Sequence, residues 1–236
     1  MTARKQLISY WADKFKILPS ILESTGTSFF PRSHLNESQK IITFQTKKRD
    51  FIFYPDIYAE LFSRLKLSNQ SIEIEQLDRC LPSLSLTQRG TDYYFYWMFD
   101  LPLFKTVKNI RLLQLSDETA LEVLKQSVTS RERELGDIDI RHPVVMGYFS
   151  DNKLLSVGSL IVENNIADIG ILTHSEARGK GIGKSIVLAL IVEGLKMNLL
   201  VQYTSMQKNI ASVALANSLG FERFATETYW SIDARL

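Results

Sequence analysis

A chain of 236 residues with 45% hydrophobic and 23% charged side chains can bury a sizeable core and has room for one large domain or two small ones. Lys and Arg total 28 against 26 Asp and Glu, a net charge of +2, so no long-range field favours nucleic acid and any anion site must be local. The single Cys80 rules out an internal disulfide and a cysteine-rich zinc site; no metal is expected, and the cytoplasm is the expected location.

Residues 1–16 mix Arg4, Lys5, Asp13 and Lys14 with apolar side chains, so they do not read as a secretory signal. The longest apolar run, Ile186 to Val192, is far short of the roughly 20 residues that cross a bilayer, and no membrane partner is expected. Ile8, Trp11, Ala12 and Phe15 recur at helical spacing with Pro19 soon after, which predicts an opening amphipathic helix. A segment rich in Ser, Thr, Pro and Asn reads as a loop. Ile41–Phe44 and Phe51–Tyr54 then read as strands. Pro55 suits the first turn of a helix carrying Ile57, Leu61 and Leu65 as one stripe. Tyr93–Phe99 is an aromatic cluster with strand preference, a packing element rather than a base-stacking platform because no basic run is interleaved with it. Residues 1–104 contain no catalytic spacing.

From about Lys105 the pattern becomes regular. Ile110–Leu115 reads as a strand, and Ser116 as a helix cap followed by Asp117 and Glu118 in the first turn. Val144–Phe149, Leu154–Val162 and Ile166–Thr173 read as an antiparallel meander, with turns at Ser150-Asp151-Asn152 and Glu163-Asn164-Asn165. A glycine loop follows, then a nearly all-apolar helix to about Lys196, a strand Leu199–Thr204, a helix from about Asn209 to Leu219 closed by Gly220, and a final strand from Phe221. The fold class is therefore α/β, an α+β mixed sheet covered by helices.

The loop Arg178-Gly179-Lys180-Gly181-Ile182-Gly183 lies between a strand and a helix. There glycines bring backbone amides close to a ligand, and the helix start supplies unpaired N–H groups and partial positive charge. Arg178, Lys180 and Lys184 add charge, so a phosphate fits. Gly179–Ser185 nearly forms a Walker A loop but has Arg178 where that motif needs glycine. The dinucleotide pattern G-x-G-x-x-G fails at Lys184 or at Ile186, depending on the starting glycine.

What does match is R-x-x-G-x-G, as Arg178, Gly181 and Gly183, with Asn209-x-x-Ser212 opening a helix that ends in Leu219-Gly220-Phe221. On these residues and on element order, the region from about Ile110 to Ile232 resembles the GNAT acyltransferase family, while the first hundred residues have no counterpart. The resemblance implies a GNAT-type acyltransferase fold over 105–236 with an additional amino-terminal α+β domain over 1–104, which would help form the acceptor pocket or a homodimer contact. It implies acetyl-coenzyme A as co-substrate. The backbone of Ile171, Leu172 and Thr173 would pair with the pantetheine arm like an added strand. The amides of Arg178, Gly179, Lys180, Gly181, Ile182 and Gly183, with Lys184, would hold the pyrophosphate, and Asn209 and Ser212 would contact the pantetheine or phosphate region. The partner would be a small-molecule or peptide amine.

A lysine-like amine costs about 4 kcal/mol to deprotonate near neutral pH, so a base or a water chain is expected, and positioning supplies much of the rest. A backbone N–H near Thr173 would stabilise the oxyanion. Asp168 shares side-chain parity with Gly170 and Leu172 and is the candidate base. Glu134 and His142 lie in the segment expected near the acceptor, and His174 reads as a loop residue. The tyrosine that family members often carry seven residues after the motif asparagine is Ala216 here. Tyr229, Tyr203, Ser205 or water would then protonate the departing thiolate. Two other classes stay open: an acyl-coenzyme A sensor or structural module without catalysis, suggested by Ala216, and a nucleotide-triphosphate enzyme built on the near-Walker loop.

Overall fold

The computed structural model describes residues 2–35, 39–67, 74, 77–101 and 108–233. In chain order they form α1 (Ala3–Phe15), α2 (Pro19–Glu23), β1 (Gly26–Pro31), β2 (Lys40–Thr46), β3 (Arg49–Tyr54), α3 (Ala59–Leu67), α4 (Leu77–Cys80), β4 (Ser85–Tyr96), β5 (Ile110–Leu112), α5 (Glu118–Gln126) and α6 (Ser130–Gly136). There follow β6 (Val144–Ser150), β7 (Lys153–Glu163), β8 (Ile166–Thr173), α7 (Ile182–Lys196), β9 (Leu200–Met206), α8 (Ile210–Leu219) and β10 (Glu222–Asp233). The chain is a mixed α/β protein whose strands pair both parallel and antiparallel.

Two compact units emerge, each discontinuous in sequence. One, the aromatic unit, comprises Ile8–Tyr94, Ser205–Val213 and Arg223–Leu236; the other, the glycine-loop unit, comprises Met1–Leu7, Phe95–Thr204 and Ala214–Glu222. The expected boundary between residues 104 and 105 falls in 102–107, outside the described residues.

In the aromatic unit the strand order is β1-β3-β2-β10-β4, with β1 parallel to β3 and β2 antiparallel to both β3 and β10. Alternation along β2 and β3 sends Phe44, Phe51 and Phe53 toward α1, where their rings meet Trp11 and Phe15. The opposite residues Ile41, Ile52 and Tyr54 pack with Phe62, Leu77, Leu81 and Trp230, and the rings of Tyr54 and Phe62 stack with centroids 4.0 Å apart. The segment expected to be a loop contains β1.

In the glycine-loop unit the order is β9-β8-β7-β6-β5, antiparallel from β5 to β8 and parallel between β8 and β9. One face carries α7, whose Ile186, Val187, Leu190 and Ile191 are fully buried; each such side chain contributes about 1.5–3 kcal/mol, so the helix is firmly seated. Gly158 beneath it has no room for a side chain, because a Cβ there would lie 2.8 Å from both Ile186 and Leu190. On the other face Leu121, Leu124, Val128 and Ile138 pack against Val145, Leu154, Val157 and Leu172.

Two local readings change. Ser116 does not cap α5: the capping box belongs to Gln114 and Asp117, which close the short 3-10 turn Leu115–Asp117 ahead of the helix. Helix α6 was not anticipated, although Thr129 and Glu132 form a reciprocal capping box at its start, a signature readable as T-x-x-E.

Candidate active site

The strands β8 and β9 pair only from Ile166↔Leu200 to Asp168↔Gln202, although both continue further. They part after three residues. On the other side β8 stays paired with β7 as far as Ser156↔Thr173, and the amide of His174 donates to the carbonyl of Leu155 at 2.9 Å. Antiparallel alternation then turns the even-numbered residues of β8 toward β7 and presents the N–H and C=O groups of Ile169, Ile171 and Thr173 to the side vacated by β9. The amide of Leu200, donating to the carbonyl of Asn165 at 2.9 Å, fits the same alternation.

Asp168 sits at the fork. Its Oδ1 accepts the amide of Ile169 at 3.1 Å and that of Thr204 at 3.2 Å, replacing ladder bonds lost where the strands diverge. The side chains of Gln202 and Thr204 also bond to its carboxylate. Burial nevertheless outweighs these bonds and holds the carboxyl above the ordinary aspartate range, because a charge there has lost its water.

Beyond Thr173 a 3-10 turn (Ser175–Ala177), capped by His174 Nδ1 on the amide of Glu176, leads into the glycine loop. Gly179 and Gly181 have φ of +72° and +76°, a left-handed backbone that costs a residue with a Cβ about 1–2 kcal/mol. Gly181 is the N-cap of α7. Among the described residues no acceptor lies in hydrogen-bonding geometry to the amides of Gly179 through Lys184. N–H groups without a protein acceptor at the start of a 15-residue helix are the kind of group that suits an anion.

The charged side chains of the motif do other work. Arg178 donates from Nε to the carbonyl of Thr173 at 3.1 Å and from Nη2 to Glu132 Oε1 at 2.7 Å, so it braces the loop against β8 and α6. Lys184 donates to the carbonyl of Ser218, near the end of α8, at 2.9 Å. Lys180 is exposed. In the aromatic unit, Asn209 Oδ1 accepts the amide of Ser212 at 3.2 Å and so caps the start of α8. Arg178 and Lys184 are thus engaged with the protein, which leaves the main-chain amides of the loop as its unbonded polar groups.

Residues 148–229 match the family model described as GNAT acetyltransferase. Over that stretch the chain is similar to a GNAT acetyltransferase domain. Among solved structures, a GNAT-family acetyltransferase from Colwellia psychrerythraea superposes with a TM-score of 0.56 at 17% identity, covering 77% of this chain and 76% of its own. A GNAT-family structure from Novosphingobium aromaticivorans gives a TM-score of 0.50 at 18% identity, covering 63% and 68%. At these identities the likeness is one of fold. No curated protein matches the sequence.

The GNAT domain places the catalytic candidates unevenly. Asp168 is half-buried, and the loss of water around its carboxyl raises its affinity for a proton, as a base needs. Glu134 lies on the exposed face of α6. His142 Nδ1 lies 2.8 Å from Oγ of Ser159, on the face of the sheet shared with Gly170, the partner of Ser159. Ala216, in the position of the missing tyrosine, is fully buried, and Tyr203 is a core residue, 2% exposed, whose ring packs on Phe221. Ser205 is buried, with its hydroxyl on the carbonyl of Met206. Tyr229, in the aromatic unit, donates to Glu227 Oε2 at 2.6 Å, and Tyr94 donates to the same oxygen at 2.7 Å. Burial and then the Glu227 charge push the Tyr229 phenol well above its ordinary range, so it holds its proton tightly.

Proposed function

We propose that the chain is an N-acetyltransferase that moves an acetyl group from acetyl-coenzyme A to a primary amine in a direct ternary-complex transfer. The observation that carries this reading is the run of six amides, Gly179 to Lys184, that make no hydrogen bond to the described protein, together with the part of β8 beyond Asp168 that β9 does not pair. Together they suit a diphosphate joined to a thin amide-bearing arm: the loop meets the anion, and the N–H and C=O groups of Ile171 and Thr173 meet the arm as a strand would. The carbonyl of Thr173 already accepts from Arg178, which leaves its amide for the ligand. Acetyl-coenzyme A supplies the thioester when bound.

The chain's own part in the chemistry follows from two groups. The amide of Thr173, at the end of the open edge, would donate to the oxyanion formed at the thioester carbonyl, while Ile171 pairs with the arm. Asp168, on the neighbouring face, would take a proton from the incoming ammonium, and its raised proton affinity brings it closer to that task than an exposed aspartate. A thiolate is a far better leaving group than an amide or alkoxide and needs little protonation to depart, so Tyr229 contributes little, its proton being held by Glu227.

The test is acetyl-coenzyme A turnover, read as thiol release, against pooled amines, peptides, polyamines and aminoglycosides, with calorimetry against acetyl-coenzyme A and Mg-ATP alongside. Saturable binding with turnover on one class supports the reading and names the acceptor. Binding without turnover on any class would favour the sensor reading that buried Ala216 motivates. Binding of Mg-ATP alone would reject the site.

A further inference from the structure

A chain of polar groups runs from the core to Asp168, and its far end, the bond between Tyr96 and Gln202, has no role so far. Tyr96, fully buried near the end of β4, donates its hydroxyl proton to Oε1 of Gln202. Gln202, 6% exposed on β9, donates from Nε2 to Oγ1 of Thr204 at 3.0 Å, and the side chains of both Gln202 and Thr204 reach the Asp168 carboxylate. A fully buried phenol costs free energy unless its hydrogen bond is made. Here the bond has a directional consequence. A phenol proton committed to Oε1 fixes which end of the Gln202 amide is the oxygen, and so turns Nε2, the donor end, toward Asp168 and Thr204.

We propose that Tyr96 and Gln202 are positioning residues for Asp168, acting in series: Tyr96 locks the Gln202 amide, and the locked amide holds the Asp168 carboxylate in place. The inference rests on Asp168 being the base of the proposed reaction for its functional meaning, but not for its geometry. The side chains that face the carboxylate are Gln202 and Thr204 from β9, with Tyr96 of β4 behind Gln202. From β7, Ile161 is the register partner of Asp168, and Ser159 carries His142 on the same face. No cation or second carboxylate among the described residues adds to the balance at Asp168. Its protonation therefore depends on the donors that reach it.

Carbon-detected NMR titration of the full chain labelled at aspartate carboxyls reads this directly, with Asp168→Asn assigning the signal. Gln202→Met, which keeps volume and removes the donor, is expected to move the Asp168 midpoint upward by about one pH unit, the size of one hydrogen bond to a carboxylate. Tyr96→Phe should move it in the same direction by less, and the double variant no further than Gln202→Met alone, because the two act through one contact. In turnover assays the acid limb of kcat/KM should move by the same amount, with KM for acetyl-coenzyme A unchanged. An unmoved or lowered midpoint in Tyr96→Phe and Gln202→Met, or additive shifts in the double variant, would overturn the proposal; if Gln202→Met fails to fold, an unmoved midpoint in Tyr96→Phe alone overturns it. Should Asp168→Asn retain full turnover while the midpoints shift as expected, the base assignment fails and the positioning chain stands.

Discussion

Nη2 of Arg178 lies 2.7 Å from Oε1 of Glu132, and that contact turns the arginine leading the glycine loop away from the loop's own amides. Glu132 in turn accepts the Thr129 amide and hydroxyl at the start of α6, so one guanidinium joins the cap of α6 to the carbonyl of Thr173 and to the loop. Arg178→Lys keeps the charge but cannot make both contacts with a single ammonium. Because the pair is about half exposed, its loss should cost under about 1 kcal/mol of stability. Acetyl-coenzyme A affinity measured by calorimetry should fall more clearly, by up to about tenfold, since the amides lose their brace. The Thr129 amide above all, then the Thr129 hydroxyl and Arg178, holds the Glu132 carboxyl below its ordinary range. Its contribution is therefore complete above the ordinary glutamate pKa and disappears as pH falls through the lowered folded value. Affinity unchanged in Arg178→Lys would refute the brace.

How far the sequence carried this picture depends on what kind of signal each element left. Strand β8 was legible to its ends because Ile166–Thr173 is bounded by turn residues on one side and the glycine loop on the other. The loop was legible because few structures need glycine at three alternate positions before an apolar helix. Other features came from tertiary context. The fork at Asp168 exists because β9 diverges after Gln202, and no local pattern in either strand announces a divergence. The turning of Arg178 onto Glu132 required α6, whose seven residues are too short for a convincing apolar stripe, although the T-x-x-E box at Thr129 was there to be read. Tyr96 reads along the chain, with its neighbours, as a packing aromatic, since a buried hydroxyl partner such as Gln202 has no signature there.

The two kinds of glycine in the loop should respond differently. Gly181 is left-handed with open space around a would-be Cβ, so Gly181→Glu meets no clash, costs about 1–2 kcal/mol of backbone strain, and places a carboxylate in front of the amides. Acetyl-coenzyme A binding by calorimetry should vanish while the chain still melts cooperatively. Gly183 is helical, and a Cβ there would sit 3.4 Å from Ile171 and 3.6 Å from Thr173, ordinary contact distances. Gly183→Ala should fold normally and weaken binding modestly by narrowing the space between α7 and β8. Equal binding by wild type and Gly181→Glu would remove the loop from the site.

Gly170 marks a close approach that sequence reading used only for side-chain parity. A Cβ at Gly170 would run into the carbonyl oxygen of Gly136, at the end of α6. Because backbone rather than a flexible side chain is in the way, α6 must shift, and overpacking of this kind costs about 1–3 kcal/mol. Gly170→Ala should therefore lower the unfolding free energy in urea by about that amount. It should also weaken both turnover and acetyl-coenzyme A binding, because α6 borders the Asp168 face and its Glu132 holds Arg178 at the loop. Wild-type stability in this variant would show that α6 is not seated on β8 as described.

Tyr229→Phe separates two accounts of thiolate departure. Tyr229 shares Glu227 with Tyr94, so its proton is already engaged and its phenol is the weaker acid for it. Removal of the hydroxyl should lower kcat by less than about tenfold, whereas loss of a true general acid typically costs 10²–10⁴-fold. A drop within that larger range, with the basic limb of the pH profile abolished, would instead give Tyr229 the acid role.

Asp168 sets the expected pH dependence. Its carboxyl is held above the ordinary aspartate range by burial, so the folded state binds a proton that the unfolded chain has already released. The sign follows: this group favours folding while protonated, and stability from it declines as pH rises from the unfolded aspartate pKa through the raised folded value. Activity runs the opposite way, because the base works only after losing the proton, so kcat/KM should rise across the pH interval in which stability falls. In Asp168→Asn the amide oxygen can still accept from Ile169 and Thr204, which keeps the fork between β8 and β9, but no proton can be taken. The variant should bind acetyl-coenzyme A normally, lose 10²-fold or more in kcat at neutral pH, and lose both the acid limb of activity and the matching slope in the stability profile. Rate and stability profiles that do not move together in this variant would separate the buried carboxylate from the chemistry.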